Sequence, residues 1–194
     1  KLNIVKHEDF IPKKYLPTFN SNVIQFYLDR IPNITEKFVM FDDDMFILKK
    51  TNETDFFKDD KICDNFCENA PYPSNKLGDV YPHSLLNNLQ YINKYYSKKA
   101  IYKNGLKKNI KTLGTMNYNF FLGLYNPHIC QAYTKKYYKL FWKYCEKQLN
   151  ECSNNKFRNY NDLTTFLIRH LELLEGDFVP RKISFGKRFE ITRN

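Results

Sequence analysis

Apolar and polar positions fall along the chain in blocks that predict alternating strands and helices. Asn3-Ile4-Val5 is a short strand-like opening, polar His7-Glu8-Asp9 follows, and Pro12 and Pro17 bracket a loop. Asn20 or Ser21 can cap a helix whose apolar positions Val23, Ile24, Tyr27, Leu28 and Ile31 recur at helical spacing until Pro32 stops it. Phe38-Val39-Met40-Phe41 has the compact apolar character of a buried strand. It ends in Asp42-Asp43-Asp44, after which Met45-Phe46-Ile47-Leu48 resumes the apolar run. Strand, helix and strand in this order predict a βαβ unit with carboxylates at the carboxyl end of its second strand, where open α/β sheets hold their ligands.

Residues 51–82 carry Asn52, Asp59-Asp60, Pro71, Pro73 and Pro82 and predict a loop-rich excursion. A helix is expected from about Ser84 to Tyr96, with Leu85, Leu86, Leu89 and Ile92 on one face. Gly105, Gly114 and Gly123 punctuate the next stretch. Further helices are expected from about Thr134 to Leu149 and from about Asp162 to Leu174, the last ending at Gly176. The alternation from Phe178 to Ile191 predicts a hairpin. The expected class is α/β, a Rossmann-like sheet with several helices, in a single catalytic domain that is itself partial. Its expected parts are a βαβ-like segment over 1–50, a loop-rich and helical cationic insertion over 51–125, and a helical segment with the hairpin over 126–194.

Composition supports one packed core. Of 194 residues, 42% are hydrophobic and 17% aromatic, and the 27% charged fraction argues against disorder. No apolar run approaches the roughly 20 residues of a membrane-spanning helix. Lys1 leads directly into the first strand-like run, so no signal peptide is read, and a start at Lys reads as part of something larger. The five cysteines are odd in number and scattered, which favours free thiols over a zinc site or disulfide framework. The net charge of +10 comes mostly from lysine, and its distribution matters more than its size. Residues 1–79 hold 14 acidic and 11 basic side chains, whereas Val80 to Cys145 holds 11 lysines and no carboxylate. An acidic cluster can hold a metal and a cationic field can attract phosphates or polyanions; a solvated Lys-rich surface is the alternative.

Three consecutive aspartates between apolar runs need a physical reason. At most two can share one side of a strand, and a divalent cation relieves the cost of burying them; an acidic surface turn is the other reading. Arg158 is one of only six arginines in a chain that otherwise uses lysine. Its planar fork suits phosphate, although Asp162 at i+4 offers a surface ion pair instead. His128 is one of four histidines and follows Asn126-Pro127, a setting equally suited to a loop residue. The many aromatic side chains read first as core, with sugar stacking as the second use.

Several runs together resemble one family. Leu16-Pro17-Thr18-Phe19-Asn20-Ser21, Arg30-Ile31-Pro32 and Phe38 to Phe46 resemble the second signature region of the Stealth proteins. Asn126-Pro127-His128 with Gln131 and Lys135, then Lys156-Phe157-Arg158, Asp162-Leu163 and Phe166-Leu167-Ile168-Arg169, resemble the third, and Gly176 to Arg181 fits the bacterial branch. That family comprises hexose-1-phosphate transferases, bacterial capsule polymerases among them. Asp42 stands where the family has Asn, Gln25 where it has Glu, and Cys130 and Ala132 replace prolines near His128. The first and fourth regions of the family are absent from these residues.

The resemblance implies transfer of a sugar-1-phosphate from a nucleotide sugar, such as a UDP-N-acetylhexosamine, to a glycan hydroxyl. On this basis Asp42, Asp43 and Asp44 are the expected ligands of Mg²⁺ or Mn²⁺, with Asp43 and Asp44 bridging it to pyrophosphate. His128 is the expected general base, since an imidazole ordinarily titrates near neutrality, and Arg158 the phosphate clamp. Thr18, Asn20, Ser21, Gln131, Lys135 and Arg169 are the expected substrate contacts. An ordinary metal-dependent glycosyltransferase using Asp42 and Asp44 is the alternative enzyme, and a polyanion-binding module the non-catalytic one. Nucleic acid is not an expected partner. The expected location is cytoplasmic, with any membrane association peripheral, at the cytoplasmic face of the inner membrane.

Overall fold

The computed structural model describes residues 2–71, 76–105, 108, 110–187 and 189. Among them α1 spans Ser21–Phe26, β1 Lys37–Met40, β2 Phe57–Lys58 and β3 Lys61–Asp64. Helix α2 follows over Tyr81–Tyr95, then β4 over Gln131–Thr134, α3 over Lys135–Ser153, α4 over Phe166–Leu174 and β5 over Phe178–Pro180. The content is mixed α/β.

Each expected helix is present with shifted ends: α1 stops at Phe26 instead of continuing to Pro32, α2 begins at Tyr81, and α4 begins at Phe166 instead of near Asp162. Asn20 caps α1, its Oδ1 accepting from the Asn22 N–H at 3.1 Å, and Val23 and Phe26 are buried one turn apart. A single 3₁₀ turn over Leu28–Arg30 then leads to Pro32. Helix α3 buries one stripe, Tyr137, Tyr138, Phe141, Cys145, Leu149 and Cys152. Helix α4 is buried on every side from Leu167 to Leu174, so it runs through the core rather than along its surface. It ends at Gly176, which takes a φ of +72°, and the Asp177 N–H returns to the Glu172 carbonyl at 3.1 Å. Helix α3 packs against both α4 and α1.

The strands pair differently from expectation. Residues 3–5 form no strand, so no βαβ unit opens the chain. Instead β1 pairs antiparallel with β4, Phe38 opposite Tyr133 and Met40 opposite Gln131. A second sheet has the order β2-β3-β5, with β3 antiparallel to β2 and parallel to β5. A strand's partner is set by contacts distant in sequence, which local alternation does not encode. The hairpin expected over 178–191 is likewise corrected: Phe178–Pro180 joins β3, and a 3₁₀ turn follows at Ile183–Phe185. Residues 188 and 190–194 lie outside the described residues. The apolar run after the aspartates is not buried either, since Phe46 and Leu48 are 77% and 79% exposed.

Aromatic side chains fill the core, as the first of their two readings holds. Phe26 packs on Phe141 with ring centroids 5.6 Å apart, and Tyr27 on Trp142 at 5.1 Å. The described cysteines are all free thiols. Two charged pairs brace the interior. Lys98 and Glu68, both almost fully buried, meet at 2.8 Å. Arg169, on α4, grips Asp64 at the end of β3 with two bonds of 2.6 and 3.0 Å.

Candidate active site

One cleft of about 860 Å³ opens between the amino end of α1, the carboxyl end of β1, the start of α2 and the loops around residues 128 and 158. Ser21, Gln25, Asp42, Gln131, His128 and Arg158 all line it. Residues separated by more than a hundred positions thus share one wall because β1 lies beside β4 and α1 beside α3.

The aspartate turn follows β1 directly. Asp42 is half-buried and Oδ1 accepts from the Gln25 amide at 2.9 Å. Gln25 is held in turn by Thr165, whose hydroxyl donates to its Oε1 at 2.9 Å, so the amide can only offer its N–H₂ to Asp42. Burial raises the Asp42 carboxyl above the usual carboxylate range, and the nearby charges of Asp44 and Asp43 push the same way while His128 opposes them. Asp43 is exposed. Asp44 turns outward and meets His128 Nε2 at 2.9 Å, and that hydrogen bond holds its carboxyl below the usual range. Among the described residues no three His, Cys, Asp or Glu side chains are gathered closely enough to enclose a metal ion by themselves.

The loop bearing His128 is stapled from behind. Gln131 donates its amide to the carbonyls of Pro127 and Ile129, on either side of the histidine, at 3.1 Å each. Asn126 is fixed from α4 by His170 Nε2 at 2.6 Å. His170 is buried, its Nδ1 has no partner, and desolvation drives its pKa well below the ordinary imidazole value. Neither Asn126 nor His170 was singled out by the sequence for this task. Asn126 entered only as a motif neighbour of His128, and His170 sits between Arg169 and Leu171 in a helix that also holds Glu172, so neither position announced the contact.

Arg158 does not pair with Asp162. Asp162 is buried and already accepts from Asn20 Nδ2 at 2.7 Å, Asn155 Nδ2 at 3.0 Å and the Asn159 N–H at 2.9 Å. The guanidinium instead donates through Nε and Nη2 to Ser21 Oγ at 3.1 and 2.6 Å, which leaves Nη1 and part of Nη2 for a ligand. Four expected contacts are not brought to the cleft. Thr18 is buried and its hydroxyl accepts from the Asn20 N–H. Asn20 spends its side chain on the α1 cap, Asp162 and the Phe157 carbonyl. Lys135 opens α3, its backbone N–H on the Glu36 carbonyl at 2.9 Å. Arg169 is fully buried, and besides Asp64 it serves the carbonyls of Tyr125 and Asn65. Its fork was legible in the sequence, but its partner was not.

Fold and cleft together define a mixed α/β protein whose site sets an arginine fork and an imidazole against a turn of carboxylates. Residues 1–65 match the family model described as Stealth protein CR2, conserved region 2. The chain belongs to the Stealth family. It is 38% identical to the capsular polysaccharide phosphotransferase WcwK of Streptococcus pneumoniae, over 100% of this chain and 60% of that protein. It is 29% identical to the exopolysaccharide phosphotransferase cps2G of Lactiplantibacillus plantarum, covering 98% of this chain and 58% of that one. With the capsular polysaccharide phosphotransferase cps1A of Actinobacillus pleuropneumoniae the identity is 32%, over 93% of this chain and 45% of the relative. The chain therefore spans about 60% of the length of the first of these relatives. Among the described residues no helix is long and apolar enough to cross a membrane.

Proposed function

We propose that this chain belongs to a phosphotransferase of surface-polysaccharide synthesis, which moves a sugar-1-phosphate from a nucleotide sugar to a glycan hydroxyl and releases nucleoside monophosphate. The observation that carries this reading is the sharing of one cleft by Arg158, His128 and Asp42, the first carboxylate of the aspartate turn; Asp43 and Asp44 lie outside its lining, exposed beside it. Transfer of a phosphoryl group depends chiefly on positioning and on neutralising charge, and these three groups divide that work.

Arg158, anchored on Ser21, presents its remaining N–H donors to phosphate oxygens as a preoriented fork. His128 takes the proton from the acceptor hydroxyl. Asp44 is ionised, so it accepts, and Nε2 is therefore the protonated nitrogen of the ring. The lone pair on Nδ1 is left as the base. Burial raises the Asp42 carboxyl and the charges of Asp44 and Asp43 add to it; both fit a divalent cation, because a bound cation would relieve them. One or two carboxylates of the Asp42–Asp44 turn would hold Mg²⁺ or Mn²⁺, which would supply charge neutralisation at the pyrophosphate of a donor such as a UDP-N-acetylhexosamine. A magnesium ion takes only one or two protein carboxylates beside phosphate and water, so it needs no enclosing protein cage. Activated sugars are made in the cytoplasm, and we place the reaction there, at the cytoplasmic face of the membrane.

The test supplies UDP-N-acetylglucosamine, an oligosaccharide acceptor and Mg²⁺ and follows the nucleotide released. UMP is the expected product; UDP would identify an ordinary glycosyltransferase and overturn the phosphotransfer reading. Arg158→Ala and His128→Ala should each lower turnover by about 10²–10³-fold, the scale of losing one transition-state donor or base. Both side chains are exposed enough for the thermal midpoint to stay unchanged.

A further inference from the structure

Two phenylalanines beside the cleft are used by nothing described so far. Phe19 lies two residues before Ser21, and Phe157 immediately precedes Arg158. Their rings stack on each other, centroids 5.5 Å apart and planes 15° from parallel, yet they are 67% and 68% exposed. Leaving two large apolar rings in water forfeits the burial that places most phenylalanines in a core.

The backbone beneath the pair is also tied across the two segments. The Phe19 N–H donates to the Lys156 carbonyl at 2.8 Å, and Asn20 Nδ2 donates to the Phe157 carbonyl at 3.3 Å. Asn20 is itself fully buried and tied to Asp162. A buried polar network thus fixes an apolar surface in solvent, next to the arginine that faces the cleft. Flexible side chains left exposed by chance need no such support.

We propose that the Phe19–Phe157 pair is a binding ledge for a sugar ring of the acceptor glycan, and this rests on the proposed function above. Aromatic faces take the C–H face of a pyranose by apolar contact, while the phosphate end of the reacting group reaches Arg158. The position of the pair selects the glycan over the nucleotide. Neither ring lines the cleft, which has room to enclose a nucleotide sugar. A polysaccharide chain is too long to be enclosed and must leave over the rim.

Binding measurements separate the possibilities, using as probe a set of two- to six-sugar fragments released from the producing cell's own surface polysaccharide. Saturation-transfer NMR should show contact between the protein and the ring protons of these fragments. Phe19→Ala/Phe157→Ala should weaken fragment binding at least fivefold, and Phe157→Trp should retain it, with thermal midpoints unchanged because both rings are exposed. UMP, titrated separately, should bind the double variant as it binds the parent and be lost from Arg158→Ala. Unchanged fragment affinity in the double variant overturns the ledge, and so does a loss of UMP affinity there, which would make the pair a base-stacking site. UMP binding that survives Arg158→Ala overturns the phosphate-clamp reading while leaving the fragment result to decide the ledge on its own.

Discussion

Glu172 and Arg158 show how differently two charged side chains can be treated in one molecule. Glu172 is buried on α4; Oε1 accepts weakly from the Thr134 hydroxyl at 3.4 Å, and Oε2 has no partner. Desolvation raises its carboxyl to about 9, with the charges of Asp177 and Asp64 adding to it. The folded state therefore favours the protonated acid, and its contribution is fully present below the unfolded value near 4.5. It is lost as pH rises from there toward 9, by up to about 1.4 kcal/mol for each pH unit. Glu172→Gln should remove this slope: urea unfolding at pH 8 should show a more stable variant than the parent, and the two should converge near pH 5. Equal slopes for both proteins would show that Glu172 ionises freely. Arg158 faces the cleft instead, so its loss should appear in turnover and ligand binding and not in stability. Arg158→Lys should recover little, because an ammonium cannot span Ser21 and a phosphate with one planar fork. The measurement is nucleotide release alongside thermal unfolding of the same samples.

At the scale of elements, the short helix α1 is stabilised from outside itself. Six residues cannot form a stable helix in isolation, and α1 depends on its Asn20 cap and on packing against α3. Asn20 also supplies one of three donors to the buried Asp162. Asn20→Ala should therefore cost more than an ordinary cap, about 2–4 kcal/mol, adding the lost cap to the penalty of an under-satisfied buried carboxylate. Chemical denaturation measures it, and a loss within about 1 kcal/mol would mean that water replaces the amide. The same segment carries Ser21, which anchors Arg158, so the cost should be accompanied by weaker nucleotide binding. Helix α1 and its cap were readable from Asn20, Ser21 and the spacing of Val23 and Ile24. The second function of Asn20 was not, because Asp162 lies 142 positions away and nothing local announces it.

At the scale of the whole molecule, the cleft exists because segments far apart in sequence are laid side by side. One wall is formed where residues 67–69 meet 123–125, through the Asn69 N–H on the Gly123 carbonyl at 3.3 Å and the Tyr125 N–H on the Cys67 carbonyl at 2.9 Å. The backbones approach so closely that a Cβ on Gly123 would sit 2.4 Å from the Asn69 carbonyl oxygen and 2.7 Å from a Pro71 ring carbon. Gly123→Ala must push this wall apart. We expect a loss of about 1–3 kcal/mol, the scale of overpacking a tight contact, together with NMR shift changes confined to 67–71 and 121–126. A variant as stable as the parent with unshifted resonances would show that the contact is slack.

Hydrophobic periodicity and end signals determined which stretches are helical but not where each helix ends, because a helix is built from contacts three and four residues apart. Rare residue types made Arg158 and the aspartate turn candidates for chemistry, and the family resemblance added His128 to them. Only tertiary structure decided that β1 pairs with β4, that Arg169 braces Asp64 while Arg158 stays open to the cleft, and that the run after Asp44 lies in solvent. Each of those outcomes turns on a partner many positions away, and on which side chain reaches a buried charge first.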